Sequence, residues 1–181
     1  MRKLFFLLLF TLLTATMQAQ ENNYIRISGD LGLVANTARD KKFGAGGSIG
    51  WLTIDNLISK NPNNFLTLHL KGFNNPYGDG KLISSILNGD GDGFNYIMPL
   101  VGYRITGSGV SNGYFVEPRV GASVGAMGHT SFAFSPLAGF GYENFEFSLF
   151  CDMGFSGKNN AIRKKNFFTP GISVAYTIAI Y

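Results

Sequence analysis

His129, Ser131 and Glu143 are the residues whose types best suit covalent chemistry. A histidine two positions before a serine sets a base beside a nucleophile, and a glutamate further on would orient the base. Such a set would carry acyl transfer. Asn88–Gly93, NGDGDG, has the oxygen-rich, glycine-hinged composition of a calcium loop. An EF-hand needs a bidentate glutamate at its twelfth position, where this chain has Pro99, so a flexible acidic loop is the expectation there. His69 has no second His or Cys at ligand spacing and is read as a satisfied interior residue. The single cysteine, Cys151, cannot form an internal disulfide and reads as a small hydrophobe. No cofactor and no metal site is expected.

Eight other charged residues follow a common pattern. Arg26, Asp30, Lys71, Arg104, Glu117, Arg119, Glu146 and Asp152 are four bases and four acids. Each stands on the less apolar side of an alternating segment. Side chains alternate across an extended strand, so even spacing means a shared face. Arg26 with Asp30, Glu117 with Arg119, and Glu146 with Asp152 are all evenly spaced. The segment FEFSLFCDMGF at 145–155 shows the pattern best. Phe145, Phe147, Leu149, Cys151, Met153 and Phe155 share one face; Glu146, Ser148, Phe150, Asp152 and Gly154 share the other. A charged, balanced, glycine-rich face suits a shared enclosed space, with Glu146 and Asp152 each facing a base such as Arg119 or Arg104.

Eight such segments are predicted, over about 24–35, 42–54, 65–73, 95–105, 114–126, 131–142, 145–155 and 167–181. Abundant glycine, frequent aromatics and sparse charge suit many strands with tight turns. Ahead of them stands MRKLFFLLLFTLLTATMQAQ: a basic start, about ten apolar residues, then small ones. That is the layout of a secretory signal peptide over 1–20, cleaved after Ala19 or Gln20. The run is too short for a transmembrane helix, which needs roughly twenty apolar residues. Residues 21–181 remain as one domain. Two of the net +4 charges leave with Arg2 and Lys3, and the other basic residues are scattered, so no nucleic-acid partner is expected.

The connections alternate in length. With the mature N-terminus on the periplasmic side, the long 74–94 connection and the basic SGKNNAIRKKN stretch at 156–166 face outward, and the tight Glu143–Asn144 turn faces the periplasm. Short periplasmic turns and longer external loops belong to outer-membrane barrels. In hydrocarbon every backbone polar group must be paired internally, which extended segments achieve only as a closed barrel. Lipid strips charge from the outer face, and the interior of an eight-stranded barrel is just wide enough to be filled by side chains. Buried charges there must pair.

The chain resembles the small eight-stranded outer-membrane β-barrel proteins of Gram-negative bacteria, the broad class that includes the membrane domain of outer membrane protein A and outer membrane protein X. The residues carrying the resemblance are the eight alternating segments, YFVEPRVGASVG at 114–125, GFGYENFEFSLF at 139–150, and the terminal TIAIY. It covers the whole mature chain. It implies an all-β, closed, antiparallel up-and-down transmembrane barrel in the outer membrane, a monomer contacting membrane lipid and lipopolysaccharide. It also implies delivery by the barrel assembly machinery, although Tyr181 is out of phase with the outward residues Tyr176, Ile178 and Ile180.

The expected role is structural or surface interaction, with the eight charges forming a salt-bridged lumen. Lys158, Arg163, Lys164 and Lys165 would be a solvated outer loop or a contact for anionic lipopolysaccharide headgroups. Alternatives are a narrow transporter for a small apolar molecule, a lipid A-modifying hydrolase, and a soluble periplasmic β-sandwich or lipocalin-like protein. The hydrolase alternative comes from resemblance to outer-membrane lipid A deacylases, which use a His-x-Ser pair with a downstream glutamate. Against it, Glu143 lies at the far end of a strand from His129, and Phe132 replaces the asparagine expected after the serine. No enzyme activity is therefore expected.

Overall fold

The computed structural model describes residues 23–34, 43–54, 58–59, 61–75, 94–125, 130–156 and 166–180. The signal-like residues 1–20, the connection 76–93 with its NGDGDG run, His129, the basic residues Lys158, Arg163, Lys164 and Lys165, and Tyr181 lie outside the described residues.

Alternation produces strands throughout: β1 (Asn23–Leu33), β2 (Phe43–Ile54), β3 (Asn64–Asn75), β4 (Phe94–Thr106), β5 (Gly113–Glu117), β6 (Arg119–Gly125), β7 (Thr130–Phe134), β8 (Leu137–Tyr142), β9 (Phe145–Phe155) and β10 (Asn166–Ile180). Every pairing is antiparallel, and β10 pairs with both β9 and β1, so the sheet closes on itself. The ten pieces make eight staves. β5 and β6 are one stave broken at Pro118; β7 and β8 are one stave broken at Ser135 and Pro136. The sequence pattern reads each as a single strand. Proline has no N–H to give the ladder, and here it interrupts the pairing without shifting phase. Ile105 pairs with Val116 on one side of Pro118 and Gly102 with Arg119 on the other, in the same register. Carbonyls still accept across the breaks: Tyr103 N–H donates to Pro118 O at 3.1 Å and Cys151 N–H to Pro136 O at 3.2 Å.

Antiparallel order puts three turns, between β2 and β3, β4 and β5, and β8 and β9, at one end, called lower here. The β8–β9 turn has two residues, and Glu143 takes a left-handed φ of 56°. Asn112 Oδ1 accepts the Glu143 N–H at 3.0 Å and ties neighbouring turns together. The β4–β5 turn places Gly109 at φ 105° and Gly113 at φ 78°, values open mainly to glycine.

Each strand sends alternate residues inward and outward. Inward residues are buried in the lumen. Outward ones are uncharged and mostly apolar, with large exposed side chains such as Ile27, Leu70, Val101, Leu149 and Ile172. The barrel is thus polar within and apolar without.

Candidate functional site

All eight charged residues picked out by spacing lie inside the barrel, none more than 4% exposed. Glu143, exposed in the β8–β9 turn, is the ninth charge among the described residues. The eight form two clusters stacked along the barrel axis.

The lower cluster centres on Glu146 of β9. Arg26 Nε donates to its Oε2 at 2.8 Å. Arg104 donates Nη1 to Oε1 at 2.6 Å and Nη2 to Oε2 at 3.1 Å. Thr177 and Ser111 hydroxyls add bonds to Oε1 at 2.9 and 3.0 Å. Arg104 also donates Nε to Glu117 Oε2 at 2.7 Å, and its guanidinium lies 4.2 Å from the Phe115 ring centroid. Glu117 Oε1 takes the Thr67 hydroxyl at 3.0 Å and sits 2.6 Å from His69 Nε2. Two arginines thus face two glutamates.

The upper cluster centres on Lys71 of β3. Its Nζ is 3.2 Å from Asp30 Oδ2, 2.9 Å from Asp152 Oδ2 and 3.3 Å from the Phe150 ring centroid. Lys71 alone would leave one carboxylate uncompensated. Arg119 supplies the fourth positive charge through Ser135. Its Nη2 donates to Ser135 Oγ at 2.8 Å, and that hydroxyl donates to Asp152 Oδ1 at 2.6 Å. Ser28 bridges the clusters: its hydroxyl donates to Asp30 at 3.0 Å and lies 2.7 Å from Ser48 Oγ, itself 3.5 Å from Arg26 Nη1. Burying an unpaired ion costs several kcal/mol. Here the charges balance within each layer, and side-chain hydroxyls complete the coordination.

Above the charges lies a lid of rings. Tyr96 is sandwiched between Phe73, centroids 5.3 Å apart, and Phe167, centroids 5.2 Å apart. The Tyr96 hydroxyl donates to Asp152 Oδ2 at 2.6 Å, joining lid to network. Glycines opposite make room. A Cβ at Gly44 would stand 2.5 Å from a Phe73 ring carbon, and one at Gly154 would overlap Phe167. A Cβ at Gly50 would overlap the His69 imidazole. The glycine-rich inner face of β2 is therefore the counterpart of the large side chains on β3.

Spacing places these residues on the inner face but does not match partners. Of the bases expected for Glu146 and Asp152, Arg104 does meet Glu146, together with Arg26. The cation at Asp152 is Lys71, with Arg119 acting through a hydroxyl. Tyr96, Ser135 and Phe167 carry no charge that would mark them. Their signal is inward parity on strands already identified. The acyl-transfer set is not assembled: Ser131 is on β7 near the upper end, and Glu143 is in the lower turn of the same stave. Ser131 faces Ser123 across the strand pair, with its hydroxyl buried in the wall. His69 is an interior residue bonded to Glu117, and the outward Cys151 is half-buried. Among the described residues, no group of three or more His, Cys, Asp or Glu is placed to hold a metal.

No protein-family model matches the chain, and no curated protein matches it. Solved structures do. One is Ail, the attachment invasion locus protein of Yersinia pestis, in complex with the heparin analogue sucrose octasulfate; it has a TM-score of 0.54 at 13% identity, over 88% of this chain and 99% of that one. Another is Neisserial surface protein A, with a TM-score of 0.53 at 12% identity, over 85% of this chain and 96% of that one. Closed eight-stave connectivity, an apolar exterior and a buried ionic interior converge with these likenesses: the chain has the fold of the small eight-stranded outer-membrane β-barrels.

Proposed function

We propose that the protein is a β-barrel of the outer membrane whose lumen is filled by its own ion-pair network and whose role is structural or surface interaction. One observation carries this reading. Among the described residues, every charged side chain on a strand points inward, and every outward strand face is uncharged. Soluble proteins rarely leave so continuous an apolar surface in water. Lipid-facing barrels require it, because a basic residue at midplane costs about 2–4 kcal/mol. The height fits as well. Outward aromatics mark both rims of β9, Phe145 below and Phe155 above. Ten residue steps at roughly 3.3 Å, tilted about 40°, span about 25 Å, the height of an outer-membrane apolar band. The apolar run near the N-terminus supports export.

Two salt-bridged layers and a ring lid occupy the interior, so the barrel passes no steady ion current. A surface role falls to the connections at the upper end, including the basic Lys158, Arg163, Lys164 and Lys165, whose charge suits anionic headgroups or sulfated glycans. Fractionating expressing cells tests location: the protein is expected in the outer-membrane fraction, with heat-modifiable gel mobility. Recovery in a detergent-free soluble fraction would overturn the reading. Steady conductance across a planar bilayer would overturn the filled lumen.

A further inference from the structure

The lower mouth of the barrel is closed in two different ways. On the β1–β3 side, side chains of the strands themselves close it. Tyr24 meets Phe65 edge to face, centroids 5.9 Å apart, and Leu52 on the strand between is fully buried. On the β5–β8 side, the lowest inward positions are Gly113 and Gly141, paired across the two strands. Neither has a side chain to reach over the opening. The β4–β5 turn, residues 107–112, takes that space instead. Ser111 at its tip is 2% exposed, and a Cβ at Gly141 would overlap the Ser111 backbone. Gly141 is thus the seat on which the turn rests.

Three consecutive residues hold the turn in place, each by one bond to a different element. Val110 O accepts from Arg104 Nη1 of β4 at 2.9 Å. The Ser111 hydroxyl donates to Glu146 Oε1 of β9 at 3.0 Å. Asn112 Oδ1 accepts the Glu143 N–H of the β8–β9 turn at 3.0 Å. The Ser108 hydroxyl donates to Asn112 O at 2.8 Å and closes the turn on itself. The attachment is otherwise slight. Val110, the turn's only apolar side chain, is half-buried. The three residues are bracketed by Gly109 at φ 105° and Gly113 at φ 78°, the glycines of this turn that take left-handed backbone. The charges beneath do not depend on the turn. Without it Glu146 keeps Arg26, Arg104 and Thr177, and Arg104 keeps both glutamates.

We propose that residues 110–112 of the β4–β5 turn are a hinged plug, which swings off Gly141 and admits water to the Arg104–Glu146 pair from the lower side. The structure holds the seated state. Withdrawal exchanges the bonds of Val110, Ser111 and Asn112 for bonds to water, and leaves every strand pairing and every ion pair intact. That separates it from an opening of the wall or of the charge network. Water then reaches the lower cluster, while the upper cluster and the ring lid stay shut, so no ion current follows. The proposal goes beyond the filled-lumen reading, which needs only the seated state.

Single cysteines in a Cys151→Ala background test it, in lipid discs that leave both ends of the barrel open to water. The reagent is a water-soluble cationic methanethiosulfonate. Ser108→Cys, exposed in the same turn, sets the open rate, and Ala133→Cys, fully buried on β7, sets the closed rate. The thiol of Ser111→Cys is expected to label about a hundredfold faster than that of Ala133→Cys, despite equal burial in the seated state. Labelling no faster than Ala133→Cys would overturn the proposal. That substitution weakens one of the three bonds, so the unmodified protein supplies a second measurement. Nuclear magnetic relaxation dispersion is expected to show microsecond-to-millisecond exchange at the amides of Val110, Ser111 and Asn112, and none at Lys71 or Tyr96. Asn112→Ala, which removes the tie to Glu143, should raise the withdrawn population by about threefold to tenfold. Flat dispersion across 110–112, or no response to Asn112→Ala, would overturn the plug. Failure of the filled-lumen reading shows separately, as steady conductance across a planar bilayer.

Discussion

Arg104 grips Glu146 across the lumen through two bonds of 2.6 and 3.1 Å while its Nε holds Glu117 at 2.7 Å. One guanidinium thus serves two buried carboxylates on different staves. Its planar fork suits this better than a lysine ammonium would.

Removing that fork takes a cation from two buried acids, leaving Glu146 with Arg26 alone and Glu117 with His69 and Thr67. Arg104→Met is expected to destabilise the barrel by about 3–5 kcal/mol, because both glutamates lose a buried partner. Arg104→Lys should recover only part of this. Urea unfolding in lipid vesicles measures both.

Gly50 and His69 form a size pair, since a Cβ at 50 would occupy the imidazole's place. Gly50→Ala should cost about 1–3 kcal/mol by overpacking. His69→Ala should cost stability alone yet rescue Gly50→Ala, so the double variant falls short of the sum. A double-mutant cycle on unfolding free energies reads the coupling.

The outward face should be intolerant of charge in a depth-dependent way. Leu149 is 66% exposed on β9 between the Phe145 and Phe155 rims. Leu149→Arg is expected to cost about 2–4 kcal/mol, but Tyr142→Arg at the lower rim only about 0–1. Were this surface in water, Leu149→Arg would change folding little.

The Glu143 turn stores local strain. A non-glycine residue at φ 56° is held in the left-handed region, so Glu143→Gly should stabilise by about 1 kcal/mol. Refolding yield and unfolding midpoint should both rise, provided the bond from residue 143 N–H to Asn112 is kept.

Strand existence and facing are legible in the sequence because period-two alternation is local: whether Glu146 points in or out is decided by its immediate neighbours. Partner choice is not legible, because it depends on how far each strand slides past the next. Asp152 meets Lys71 and not Arg119 because register sets them at one height, and no sequence spacing within β9 or β3 encodes that height. Ser135 escapes notice for a related reason. It sits at a break beside Pro136, where alternation is hard to follow, yet it carries Arg119's charge to Asp152. The glycines of β2 are legible as small interior residues; that Phe73 and His69 fill their space is not.

The chain has a single tryptophan, Trp51, placed outward on β2 between Ile25 of β1 and Leu68 of β3. Its fluorescence in vesicles containing lipids brominated on their acyl chains tests most directly whether the apolar face meets hydrocarbon. A lipid-facing barrel predicts blue-shifted emission strongly quenched by the brominated chains. Red-shifted emission, quenched by aqueous iodide and indifferent to bromine, would contradict it.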